Sequence, residues 1–157
     1  MRQSLLWLLF FVVLCARAGW AQQYQVSNLN DINLGSWSGS GNMTGNDPIC
    51  VYKSSGGSAA FGVTGTDNST ITPGSFMFEN AARTVQIPYA LRWSNTATAG
   101  TGAMSDGVRR AGTGANRTST TCGGTPNKNF SILVTSTNLP SVPAGTYTTT
   151  VSLMVGP

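Results

Sequence analysis

From Gly145 to Pro157 the chain alternates in polarity. Tyr147, Thr149, Val151, Leu153 and Val155 share one parity, while Thr148, Thr150, Ser152 and Met154 share the other. A period of two is the signature of a half-buried β-strand. The same reading makes a strand of Thr84–Trp93, where Val85, Ile87, Tyr89, Leu91 and Trp93 fall on one side. Pro88 lies on the other side, and proline within a strand points to an edge or a bulge. Phe130, Ile132 and Val134 align within Asn129–Thr137, and Ala59, Phe61 and Val63 align within Ala59–Thr66. Ile49-Cys-Val-Tyr-Lys53 is nearly continuous in apolar residues, as expected of a strand covered on both faces.

The remaining segments are punctuated by Gly, Pro, Asn and Ser. Tyr24–Trp37 reads as a first strand with an irregular middle, and Ser38–Pro48 as a loop. Ser54–Ser58 is a turn, Asp67–Ser75 a loop, and Phe76–Glu79 a short strand. Ser94–Asn127 is too long to be structureless in a compact domain, so a short strand is expected around Ala103-Met104 and Gly107-Val108. Asn138–Ala144, with Pro140 and Pro143, is a turn. No window after the first residues carries a helical period. About seven short strands separated by turn signals predict an all-β antiparallel sandwich in one domain.

Residues 1–21 are read as a secretory signal peptide. Met1–Ser4 carries a positive charge, Leu5–Cys15 is apolar, and small residues follow up to Ala21. The apolar run falls short of the roughly 20 residues a membrane-spanning helix needs, so no transmembrane segment is expected once the leader is cleaved. The domain then comprises residues 22–157. Loss of Arg2 and Arg17 brings the formal charge down from the +4 of the whole chain, and no basic stripe remains. Arg109-Arg110 alone, in a Gly/Thr/Ala setting, reads as part of a solvated loop, and no nucleic-acid partner is expected.

Two cysteines remain after the leader, Cys50 and Cys122. In an oxidising compartment they most simply form one disulfide. The rival, a metal site, finds no histidine and no CxxC to build on. Catalysis is poorly served as well. No histidine can activate a serine or cysteine, and the acids Asp31, Asp47, Asp67, Glu79 and Asp106 are scattered. No enzyme activity and no cofactor are expected. Asn42, Asn68, Asn116 and Asn129 stand in N-x-[ST] contexts, which a chain rich in Asn, Ser and Thr produces by chance. Trp37, Trp93, Tyr24, Tyr52, Tyr89 and Tyr147 could supply a sugar-stacking surface, against the plainer role of core packing.

Four stretches together carry a family likeness: Asn33-Leu-Gly-Ser-Trp37, Ile49-Cys-Val-Tyr52, Val85-Gln-Ile-Pro-Tyr-Ala-Leu91 and Gly145-Thr-Tyr-Thr-Thr-Thr-Val-Ser-Leu-Met-Val155. In order and spacing the chain resembles the spore coat protein U domain family, which includes subunits of archaic chaperone–usher pili. The resemblance implies an immunoglobulin-like sandwich lacking its final strand. The gap is filled first by a periplasmic chaperone and then by the N-terminal extension of a neighbouring pilus subunit delivered through an usher. Tyr147, Thr149, Val151, Leu153 and Val155 would line the strand-accepting groove, and the location would be the cell surface. Two features depart from the family. A cysteine at the start of the first strand is missing, which leaves Cys122 as the partner for Cys50. In addition, only Gln22-Gln23, roughly 7 Å of chain, precedes Tyr24 after the leader.

Three arrangements answer the second departure. The chain accepts a strand and has none to give, as at a tip; or Tyr24–Asn28 is itself a short donor; or the chain is a minor, assembly-associated member. The alternatives of another class are a self-contained carbohydrate- or surface-binding sandwich, with Trp37 and Ser94–Asn127 as contact surface, and a spore-coat-like structural protein without strand exchange.

Overall fold

A computed structural model describes residues 22–54, 59–69 and 71–157. The leader, most of the turn after Ser54, and Thr70 lie outside the described residues. Among the described residues eleven strands form in chain order: β1 (Tyr24–Ser27), β2 (Met43–Lys53), β3 (Phe61–Asp67), β4 (Met77–Asn80), β5 (Gln86–Pro88), β6 (Ala90–Ser94), β7 (Gly102–Ala103), β8 (Arg110–Gly112), β9 (Lys128–Val134), β10 (Tyr147–Thr148) and β11 (Val151–Gly156). Every pairing between them is antiparallel. One sheet has the order β1-β2-β9-β6-β7. The opposing side is built from two three-stranded sheets, β10-β4-β5 and β11-β3-β8. The result is the expected all-β sandwich. Ile49, Val51, Phe61, Val63, Leu91, Trp93 and Val134 lie buried at its centre. Trp93 meets Phe61 and Phe130 edge-on, at ring separations of 6.0 and 5.0 Å, a geometry that aromatic quadrupoles favour.

Two expected strands are each cut in two. Thr84–Trp93 breaks at Tyr89, whose N–H still donates to Phe76 O at 3.1 Å, one step beyond Met77↔Pro88. β5 pairs with β4, and β6 with β9, so the segment crosses from one layer to the other. Pro88, with no N–H to offer, sits at the crossing. The terminal strand breaks at Thr149-Thr150, β10 running on β4 and β11 on β3. The two smaller sheets therefore share one interrupted strand.

The N-terminal region departs from expectation in two ways. The first strand stops at Ser27, because Asn28 takes a left-handed φ of 63°, a conformation asparagine tolerates better than most residues. The expected loop Ser38–Pro48 is in large part strand, since β2 begins at Met43 and pairs with β9 from Met43↔Val134 to Ile49↔Lys128. The inward positions of this half are Met43, Gly45 and Asp47. Gly45 carries no side chain, and Ile32 and Leu34 lie in the space a Cβ there would take. The apolar cover for this half of β2 thus comes from residues 29–37, which Asp47 anchors by accepting from Asn30 N at 2.9 Å and Asn30 Nδ2 at 3.1 Å.

Residues 94–127 are tied down by polar side chains. Asn127 acts as a surrogate strand neighbour: Val51 N donates to its Oδ1 at 2.9 Å, and its Nδ2 donates to Val51 O at 3.1 Å. Lys128, 1% exposed, donates from Nζ to the carbonyl oxygens of Asn95, Gly114 and Asn127 at 3.2, 2.8 and 2.7 Å. Burial pushes its pKa down to about 8, and among the described residues no carboxylate pairs with it. Cys50 and Cys122 form the expected disulfide, with Cα atoms 5.8 Å apart across a sequence separation of 72.

Candidate functional site: a groove beside the terminal strand

Beyond Asn28 the chain runs along the sandwich without joining a sheet. Asn30 N is held by Asp47, Gly35 N by the side chain of Asn33 at 2.8 Å, and Trp37 Nε1 by Gly41 O at 3.0 Å. Among the described residues no backbone ladder takes residues 29–37. Opposite runs the terminal strand. β10 and β11 are each the outermost strand of their sheet, so one backbone edge of each is unpaired.

A groove of ≈ 900 Å³ opens between these two stretches. One lip is Asp31–Trp37 and the other is Ala144–Thr149. Its floor includes Phe78, Ile87, Val134 and Leu139, the last three buried, and Val142 adds to the apolar lining. Toward β1 the gap narrows: β1 and β11 come within 8 Å, Cα to Cα, without hydrogen bonding to each other. A strand inserted between two others separates them by about 10 Å, twice the usual spacing. The groove is therefore open at the Trp37–Tyr147 end and pinched at the β1–β11 end.

Of the residues named from the sequence, Tyr147 and Thr149 line the groove. Val151, Leu153 and Val155 are half-buried and pack on the core along the same strand, on the pinched side. Met154, of opposite parity, is 72% exposed. The Tyr147 hydroxyl donates to Pro143 O at 2.8 Å and braces the turn that shapes this lip. Tyr24–Ser27 is engaged on β2, in register from Tyr24↔Lys53 to Ser27↔Cys50. Trp37 is part of the groove, but none of the described lining residues comes from 94–127, so the structure does not join Trp37 and that loop into one surface. The sequence reading missed Leu139, Val142 and Phe78 as groove residues. Their signal was weak: Leu139 and Val142 sit in a proline turn, and Phe78 in a four-residue strand.

Arg109 is exposed and outside any strand, as expected of a solvated loop, whereas Arg110 opens β8; both side chains are engaged. Arg109 donates from Nε and Nη2 to Pro157 O at 3.2 and 2.8 Å, and Arg110 from Nη1 to Ala103 O at 2.8 Å. Each guanidinium occupies the space over a glycine, Gly62 and Gly102 respectively. Among the described residues no cluster of three or more His, Cys, Asp or Glu side chains could hold a metal, and no helix is long and apolar enough to cross a membrane.

The fold is thus an antiparallel β-sandwich with an uncovered gap between its N-terminal segment and its last strand. It is similar to a chain of a solved chaperone–tip adhesin complex that is vital for synergistic activation of CFA/I fimbriae biogenesis. The TM-score is 0.54 at 16% identity, over 87% of the present chain. The present chain spans 41% of that one, less than half its length, and at this identity the likeness is one of fold. No family model and no curated protein matches the chain, so the spore coat protein U resemblance rests on the motifs quoted above.

Proposed function

We propose that this protein accepts an extended strand from another polypeptide, as a non-enzymatic subunit of a surface pilus assembled by a periplasmic chaperone and an usher. The observation that carries the reading is the pair of backbone stretches without a ladder partner, Asp31–Trp37 and the outer edge of β10, facing each other across a groove with an apolar floor and a mixed polar and apolar lining. Backbone groups without a ladder partner beside exposed apolar surface invite pairing with another chain. A strand laid between them would satisfy both edges and send alternate side chains to the floor, which is recognition by strand addition. The fold shared with a chain of a chaperone–tip adhesin complex supports the same class of partner.

Entry of the strand begins at the Trp37–Tyr147 end, and it completes only when β1 and β11 part. Tyr24–Ser27 is engaged on β2 and could act as a donor only by surrendering that ladder. The test is periplasmic expression of the chain with and without the chaperone encoded beside it. A stable complex with the chaperone, and aggregation or proteolysis without it, is the expected result. A soluble monomer that unfolds cooperatively without any partner defeats the reading.

A further inference from the structure

Asp67 ends β3 at the point where three breaks in the ladder meet. The terminal strand changes sheets at Thr149-Thr150, the β5–β6 segment changes layers at Tyr89, and β4 begins at Met77. The Asp67 side chain contacts two of these elements at once. Thr149 Oγ1 donates to its Oδ1 at 2.6 Å, and Met77 N donates to its Oδ2 at 2.5 Å. Its own N–H donates to Asp106 Oδ1 at 2.7 Å, which fixes its backbone. Thr149 belongs to the groove's lip, and Phe78, next to Met77, belongs to its floor.

We infer that Asp67 is a positioning residue of the groove: its carboxylate clamps the lip at Thr149 to the floor at Met77-Phe78 and so fixes the seat into which a strand is received. The inference rests on the strand-accepting reading.

The chemistry favours a carboxylate here. Asp67 is 7% exposed, and among the described residues neither Lys nor Arg pairs with it. A buried charge without a counter-ion is expensive unless hydrogen bonds hold it. It persists because each oxygen takes one donor from a different segment, and such charge-assisted bonds are about twice as strong as neutral ones. Tyr89 closes the cluster. It is 7% exposed, its ring lies 4.6 Å from that of Phe78, and its Oη has no hydrogen-bond partner among the described residues. Burial, and after it the Asp67 charge, raises its pKa well above the usual phenol range, so it stays neutral and adds no third charge. Because the clamp acts through Thr149 and Met77, Asp67 itself need not touch the incoming strand.

The variants separate the clamp from general stability. Thr149→Val keeps the shape and removes the donor, whereas Thr149→Ser keeps the donor. Asp67→Asn keeps both contacts but as neutral hydrogen bonds, since its oxygen can face Met77 N while the Thr149 hydroxyl turns to accept from the amide. Each chain, purified from the periplasm, is titrated with a dye-labelled synthetic peptide of alternating Val and Thr, and backbone amide exchange is followed in parallel. Loss of a hydrogen bond to a charged acceptor predicts uptake roughly tenfold weaker for Thr149→Val. Thr149→Ser should stay within about twofold of the parent, and Asp67→Asn, whose bonds are neutral and weaker, should fall between the parent and Thr149→Val. Exchange in Thr149→Val should quicken around Tyr147–Val151 and Met77 only. Unchanged uptake with unchanged exchange overturns the clamp, and so does an equal rise in exchange over the whole sandwich. If the parent chain takes up no peptide, the strand-accepting reading fails separately. Exchange then decides the clamp: a local change in Thr149→Val upholds it, and a uniform or absent change overturns it.

Discussion

The guanidinium of Arg109 fills the space beside Gly62, with Nε nearest and Nη2 2.7 Å from where a Cβ would stand. The same guanidinium grips Pro157 O with two donors, so a missing side chain on β3 makes room for the group that holds the far end of β11. Gly62→Val should push Arg109 aside, and Arg109→Ala should remove the grip. Both are expected to quicken amide exchange at Val155 and Gly156 while leaving the thermal midpoint within a few degrees of the parent, because Arg109 is exposed and such surface contacts contribute about 1 kcal/mol or less. Exchange at these two amides, measured by NMR, is the check.

Leu153 and Met154 are neighbours on β11 that face opposite ways, one half-buried against the core and the other 72% exposed. On the strand-accepting reading, Leu153→Asp should abolish a stable complex with the chaperone. Met154→Asp should leave the complex intact. Co-purification of the two variants with the same chaperone gives the answer, and equal behaviour speaks against an inward-facing contact surface on this strand.

Removing the Cys50–Cys122 disulfide, which closes a separation of 72 residues, should cost about 4 kcal/mol on the chain-entropy account. A Cys50→Ala/Cys122→Ala double variant should show a matching fall in urea-unfolding free energy, or fail to accumulate in the periplasm.

Lys128 gives a signed pH effect. Its folded pKa of about 8 lies below its ordinary value of 10.5. Below pH 8 both folded and unfolded chains carry the proton, and the cost of burying the charge is present in full. Between about 8 and 10.5 the folded chain gives up its proton first. The unfolded state then binds more protons, and stability attributable to Lys128 rises with pH. Subtracting the urea midpoints of Lys128→Met from those of the parent isolates this slope from the other titrating groups. A flat or falling difference contradicts it.

Gly45→Val should be strongly destabilising for a surface-strand substitution. The new side chain would collide with Ile32, and its Cβ alone would come within 2.7 Å of Leu34 Cδ2. Overpacking of this kind costs roughly 1–3 kcal/mol. It should also lift residues 29–37 off β2, seen as a red shift in the emission of Trp37 in a chain whose other described tryptophan, Trp93, stays buried.

The parts of this fold that were legible in the sequence are those where one strand supplies its own apolar face. Val151, Leu153 and Val155 announce β11 by alternation alone, and Phe130, Ile132 and Val134 announce β9. The first half of β2 was illegible because its inward residues are Met43, Gly45 and Asp47, and Ile32 and Leu34 bring the apolar surface from elsewhere in the chain. The breaks at Tyr89 and Thr149 leave parity almost undisturbed, since each segment changes sheet without turning its buried face outward. Pro88 hinted at the first, and nothing local marked the second. The contacts of the two arginines were illegible because their partners, Gly62 with Pro157 and Gly102 with Ala103, are found only in the folded chain. The groove was half visible: Tyr147 and Thr149 follow from the strand pattern, whereas Leu139, Val142 and Phe78 reach it only through the path of the backbone.

The covalent ring closed between Cys50 and Cys122 encloses β3 to β8 and, with them, Phe78 and Ile87 of the groove floor. Both lips, Asp31–Trp37 and Ala144–Thr149, lie outside it. The cross-link therefore fastens the foundation while leaving the two rims without a covalent tie to each other. On the strand-accepting reading, the rims could part and close around a guest strand without straining the ring, so oxidation would not have to be undone when one guest is exchanged for another.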